Sequence, residues 1–81
     1  MEEATNPRLK KLILQVVDNQ LRENNPPITK QTLNRLMKAG YTRPQAKEKI
    51  AAVLVNYIFY AMHDNIPFNE ENYTTDLEKL T

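Results

Sequence analysis

The longest apolar stretch of the chain covers residues 50–62 and contains one strongly polar residue, Asn56. A helix that is apolar on nearly all sides lies inside a protein or inside a bilayer, and crossing a bilayer takes about 20 apolar residues. This run is shorter and has charged residues close to both ends. It therefore predicts a mostly apolar central helix, over about residues 43–63, in a compact four-helix domain of the all-α class. The narrow polar stripe of this helix consists of Gln45, Lys49, Asn56 and His63.

Three shorter segments carry apolar residues at three- and four-residue spacing, which is the pattern of helices that bury one face. The first follows the pair Asn6-Pro7 and ends near Asn24, because Asn caps helices and Pro suits the first helical position. The second is expected to start at Thr29 as its cap, and the third at Asn69. These three helices are predicted to surround the central one with Leu9, Leu12, Ile13, Val16, Val17 and Leu21, with Leu33, Leu36 and Met37, and with Tyr73, Leu77 and Leu80.

Two clusters of turn residues predict the connections between the first three helices. Pro26 and Pro27 have no backbone donor, so they end the first helix and form a stiff corner. Gly40 supplies a left-handed residue that closes the second helix. Thr42 and Gln45, three residues apart, have the spacing of a capping box at the start of the central helix.

Gln20 interrupts the apolar face of the first predicted helix. A buried amide needs hydrogen-bond partners, and a lone Gln has no chemistry of its own. We therefore expect a structural role for Gln20, in which its side chain bonds backbone groups of the turn that follows.

Length and composition predict one soluble domain, residues 1–81, with a flexible N-terminus at 1–5. The 81 residues are too few for two independent cores, and a single Gly argues against a fold with many tight turns. The chain has no Cys, so neither disulfides nor thiolate metal sites are expected. Its acidic start lacks the apolar region of a signal peptide, which favours the cytoplasm and no membrane association.

The net charge of +1 conceals an uneven distribution. Residues 30–49 contain six basic residues and one acidic residue, whereas residues 50–81 contain one basic and five acidic residues. The simpler interpretation is a pair of solvated faces that partly complement each other; the alternative is a patch that binds an anionic partner. The candidate patch comprises Arg35, Lys38, Arg43, Lys47 and Lys49.

The residue inventory argues against an enzyme. There is no Ser or Cys, and the only His is His63, so a nucleophile and base would have to come from Thr or Tyr with one imidazole. His63 has no partner at a spacing typical of metal ligands, and one Gly cannot build a phosphate loop. We therefore predict no catalytic, metal or cofactor site.

Nucleic-acid binding is the alternative function. The second helix, Gly40 and the central helix have the outline of a helix-turn-helix, and the basic segment covers it. A recognition helix needs an exposed polar face, however, and the central helix is apolar from Ile50 onward. Only the first two turns of the central helix could reach a nucleic acid, and they would contact its phosphates and not its bases. This predicts non-specific, salt-sensitive binding.

A protein-binding surface is the interpretation we favour, because three short helices are too short to cover all of a long apolar one. Exposed aromatic residues beside a polar stripe form a plausible interface with another protein or with a second copy of the chain, although a plain core role explains them equally well. The candidate interface residues are Ala52, Val55, Asn56, Phe59, Tyr60 and His63.

Part of the chain, about residues 16–58, resembles a small bacterial all-helical family of unassigned function. The resemblance rests on the strings 17–21 (Val-Asp-Asn-Gln-Leu) and 25–27 (Asn-Pro-Pro), on Arg35 and Leu36 before Gly40, and on Arg43 with the segment 46–50. Pro44 and Glu48 stand where that family often has two histidines. The resemblance implies a compact helical fold and no activity; any activity that depends on those histidines would be missing here.

Overall fold

The computed structural model describes residues 7–81, which form four helices and no strand. They are α1 (Pro7–Glu23), α2 (Pro27–Lys38), α3 (Arg43–Asp64) and α4 (Glu70–Glu78). The prediction of an all-α, four-helix domain is confirmed. The predicted cap at Asn6 and the flexible segment 1–5 lie outside the described residues.

The core forms where α1, α2 and α4 meet the first half of α3. The helix α3 packs against all three others, and α2 also packs against α1 and α4. Burying a Leu or Ile side chain contributes about 1.5–3 kcal/mol to folding, so the buried apolar residues of this core supply most of the stabilisation. The buried apolar residues are Ile13, Val17, Ile28, Leu33, Leu36, Ala46, Ile50, Ala51, Leu54, Tyr73 and Leu77.

The turn between α2 and α3 agrees with its predicted chemistry. Gly40 has a φ of 114°, a conformation that costs little for Gly, and Tyr41 N–H donates to the carbonyl of Leu36 at 3.1 Å. The capping box is complete: the Gln45 N–H donates to Thr42 Oγ1 at 3.2 Å, and the Thr42 N–H donates to Gln45 Oε1 at 2.9 Å.

The prediction that Thr29 caps α2 is wrong. The helix begins at Pro27, and Pro26 occupies the capping position without a side-chain hydrogen bond. The fixed φ of Pro27 suits the first helical position, so the capping position lies three residues earlier than expected. Thr29 is consequently buried within the helix.

Gln20 has a structural role, but the prediction that its side chain bonds the following turn is wrong. Its Oε1 accepts hydrogen bonds from the Thr29 hydroxyl at 2.7 Å and the Tyr73 hydroxyl at 3.1 Å. The backbone carbonyl of Gln20, and not its side chain, bonds the turn at Asn25. The amide therefore links α1 to α2 and α4.

The other helices do not surround α3 along its whole length. The buried residues of α3 are Ala46, Ile50, Ala51 and Leu54, and every residue of this helix from Phe59 to Asp64 is exposed. At about 1.5 Å per residue, α3 is about 33 Å long, whereas α2 and α4 are about 18 and 14 Å long. Met37, Leu9 and Leu12, also predicted to face inward, are exposed. Among the described residues, no helix combines the length and apolar content needed to cross a membrane.

Candidate protein-interaction surface

Large apolar side chains are exposed together at the C-terminal end of α3 and in the loop after it. Phe59, Tyr60 and Met62 are 56%, 51% and 77% exposed, and Ile66 and Phe68 of the loop are 51% and 45% exposed. We call these five residues the apolar end. Scattered exposed apolar residues are common, whereas several in one region are typical of binding surfaces.

The six predicted interface residues lie along one face of α3, at three- and four-residue spacing. Five of them are exposed, and Val55 is half-buried against the core. The rings of Phe59 and His63 lie 4.0 Å apart between centroids, at an angle of 31°. The structure therefore places Ala52, Asn56, Phe59, Tyr60 and His63 on one solvent-facing stripe that leads into the apolar end.

Helix caps at both ends and three packed rings hold the loop beside α3. Asn65 has a φ of 54° and ends α3 in the left-handed conformation, and Asn69 Oδ1 accepts from the Asn72 N–H to start α4. Phe68 packs against Tyr73 at 5.2 Å and against Tyr57 at 5.7 Å between ring centroids. The exposed loop residues are thus attached to a fixed framework.

A hydrogen bond between Tyr57 and Asp76 joins the two helices next to this framework. The Tyr57 hydroxyl donates to Asp76 Oδ2. Burial raises the pKa of the Tyr57 hydroxyl to about 12, and the hydrogen bond to Asp76 and its negative charge add to the increase. Burial also raises the pKa of Tyr73, although its hydrogen bonds with Thr29 and Gln20 act in the opposite direction.

An open pocket of about 360 Å³ lies between α3, the loop and α4, beside the apolar end. Its lining combines three amide side chains, one carboxylate and two Tyr side chains, with two apolar residues of the loop. Tyr60 and Ile66 belong both to the pocket and to the apolar end. The complete lining is Asn56, Tyr57, Tyr60, Ile66, Pro67, Asn69, Asn72 and Asp76.

The five residues of the candidate anion patch are not gathered as one free cationic face. Arg35 donates to the carbonyls of Leu80 and Leu77 at 2.6 and 2.7 Å. Lys47 pairs with Asp18, and the Lys49 ammonium lies 4.8 Å from the centroid of the Tyr41 ring. Lys38 and Arg43 flank the turn between α2 and α3 and are exposed.

The described part of the chain contains no group of three His, Asp or Glu residues that could hold a metal ion. Sequence reasoning did not include Met62, Ile66 and Phe68 in the interface, although Met62 is three residues from Phe59 on the same helix. It also missed Asn72 and Asp76. Their four-residue spacing in α4, next to the buried Tyr73 and Leu77, indicates a common outward face.

Comparisons with protein-family models, with curated proteins and with solved structures found no match to this chain. The resemblance to a small bacterial helical family therefore stays a prediction.

Proposed function

We propose that this chain is a non-enzymatic helical module that binds another polypeptide through the apolar end of α3. The observation that carries the proposal is the joint exposure of Phe59, Tyr60 and Met62 on a helix whose buried residues all lie between Ala46 and Leu54. Leaving this surface in water forgoes roughly 25 cal/mol for each Å² of apolar area that a partner would cover. Aromatic residues and Met are also enriched in protein interfaces.

The rigid presentation of the surface supports the same function. Phe68 is held by the rings of Tyr57 and Tyr73, so a partner need not order the loop on binding. Preorganisation of this kind lowers the entropic cost of association.

The test begins with photo-cross-linking. A photoreactive phenylalanine at position 59 identifies bound proteins, and the affinity of each purified candidate for the chain is then measured directly. Phe59→Ser and Met62→Ser should each weaken binding by about 10- to 100-fold, the range for removing a buried interface anchor of about 1.4–2.8 kcal/mol.

Met37→Ser is a matched control, because Met37 is also exposed but lies on α2. It should leave the affinity unchanged. Equal effects of Met37→Ser and Met62→Ser would contradict the proposal. Binding to heparin that Arg43→Gln abolishes and Met62→Ser does not would instead favour the nucleic-acid alternative, since heparin is a polyanion.

A further inference from the structure

The pocket between α3 and α4 has the chemistry of a site for a cationic side chain. The side chains of Asn56 and Tyr60, four residues apart on α3, and of Asn72 and Asp76, four apart on α4, line its two sides. Amide and carboxylate oxygens accept hydrogen bonds from ammonium and guanidinium groups, and a Tyr ring attracts a cation to its face.

The Asp76 carboxylate retains most of its capacity to bind such a group. An ionised carboxylate accepts about four hydrogen bonds, and among the described residues its one hydrogen bond comes from the Tyr57 hydroxyl. The ion pairs between described residues involve the carboxylates of Asp18 and Glu48, and not that of Asp76. A cation in the pocket would therefore gain a charged partner that is already oriented by Tyr57.

Other ligand classes fit the pocket less well. None of its lining residues is basic, so an anion would meet the Asp76 charge without compensation. The pocket between α1 and α3 differs in this respect, because its two charged residues, Lys10 and Glu48, already pair with each other at 3.1 Å.

The surroundings indicate that the cation belongs to a polypeptide. Tyr60 and Ile66 belong both to the pocket and to the apolar end, and residues 50–81 carry one basic and five acidic residues. Opposite charges across an interface direct partner choice. A segment with apolar residues on one face and Lys or Arg beside them would complement both features.

We propose, building on the protein-binding function above, that the partner is a basic amphipathic segment that inserts one Lys or Arg side chain between Tyr60, Asn72 and Asp76. Its apolar residues cover Phe59 and Met62. The pocket thus selects a positively charged partner, and the apolar end supplies most of the affinity.

The pocket is tested with N-acetyl-arginine methylamide and its neutral isostere, N-acetyl-citrulline methylamide. In ¹H–¹⁵N spectra, the arginine compound should shift the side-chain amide signals of Asn56 and Asn72 with millimolar affinity, and the citrulline compound should bind at least tenfold more weakly. Asp76→Asn should reduce the arginine affinity at least tenfold. Glu48→Gln, which removes a carboxylate outside the pocket, should leave it unchanged.

Tyr57→Phe separates the charge of Asp76 from its structural role. It removes the hydrogen bond that orients Asp76 but keeps the charge of the carboxylate, so arginine binding should weaken clearly less than in Asp76→Asn. Loss of binding in Tyr57→Phe equal to that in Asp76→Asn would overturn a direct contact, and so would equal binding of the two compounds.

The same variants distinguish this inference from the proposed function. A partner whose affinity falls with Met62→Ser and by about tenfold with Asp76→Asn supports both. If Met62→Ser weakens the complex and Asp76→Asn does not, the cation site is wrong and the protein-binding function stands. A solution mass of two chains that Met62→Ser halves would assign the surface to a second copy and overturn the basic partner.

Discussion

Two Thr residues on α2 show how hydrogen bonding decides whether a buried hydroxyl stabilises or destabilises the fold. Thr29 donates to Gln20 at 2.7 Å, whereas the buried Oγ1 of Thr32 has no hydrogen-bond partner. An unsatisfied buried polar group costs about 1–3 kcal/mol. We therefore expect Thr32→Val to raise the free energy of unfolding by about 1 kcal/mol and Thr29→Val to lower it by about 1 kcal/mol.

Urea unfolding at pH 7 measures both variants. The substitution is identical and both residues lie within the same helix, so helix propensity contributes about equally to each. Changes of the same sign in the two variants would show that packing, and not the hydroxyl partner, controls stability here.

The hydroxyl of Tyr57 makes a pH-dependent contribution to stability. Its pKa is about 12 in the folded chain, above the value of 10.0 expected on unfolding, so folding favours the protonated form. This contribution is complete below pH 10 and is lost as the pH rises from 10 to 12. In urea midpoints measured from pH 8 to 11.5, the wild type should lose stability faster than Tyr57→Phe above pH 10. Parallel curves would contradict the raised pKa.

At the scale of whole elements, α4 depends on a side chain from another helix. It has nine residues, too few to be stable alone, and Arg35 of α2 donates to two carbonyls at its C-terminal end. Carbonyls at the C-terminal end of a helix attract positive charge, and that of Leu77 accepts from the Leu80 N–H at 3.1 Å as well as from Arg35. The residue predicted to bind anions thus has a structural contact at the end of a helix.

Replacing Arg35 should loosen α4 selectively. We expect Arg35→Gln to cost about 1 kcal/mol and to speed hydrogen exchange of the α4 amides about fivefold. Arg35→Lys should rescue little, because Lys lacks the two-pronged geometry. Lys38→Gln, on the same helix, is the control and should leave α4 exchange unchanged. An equal effect of both Gln substitutions would rule out the contact as the cause.

Sequence reasoning succeeded for elements whose signals are local and failed for contacts between elements. Thr42, Gln45 and Gly40 act within a few residues of themselves, so their spacing was enough to predict them. The contacts of Gln20 and Arg35 reach residues 53 and 45 positions away, and no local pattern encodes them. The surface shows both outcomes: the pattern of α3 indicated its exposed stripe, but not that the loop adds Ile66 and Phe68 beside it.

At the scale of the whole molecule, charge is separated along α3. Arg43, Lys47 and Lys49 lie in its first two turns, and Asp64 is its last residue, within the sequence of the apolar end. Arg43 and Phe59 are 16 positions apart, about 24 Å along the axis. This distance is several times the Debye length of about 8 Å at physiological salt, so a charged partner responds mainly to the end that it approaches.

Association rates should report this separation. A synthetic helical peptide with Leu on one face and Arg on the other should bind the chain about tenfold faster at 20 mM than at 500 mM salt, because attraction to the acidic end steers the encounter. The peptide with Glu in place of Arg should show the opposite dependence. Met62→Ser should raise the dissociation rate of the Arg peptide while leaving its salt dependence intact, since that residue is uncharged. If the association rates of both peptides change with salt in the same way, the acidic end does not steer the encounter. The net charge of +1 would then describe the interaction of the chain with charged partners better than the local charges of its two ends.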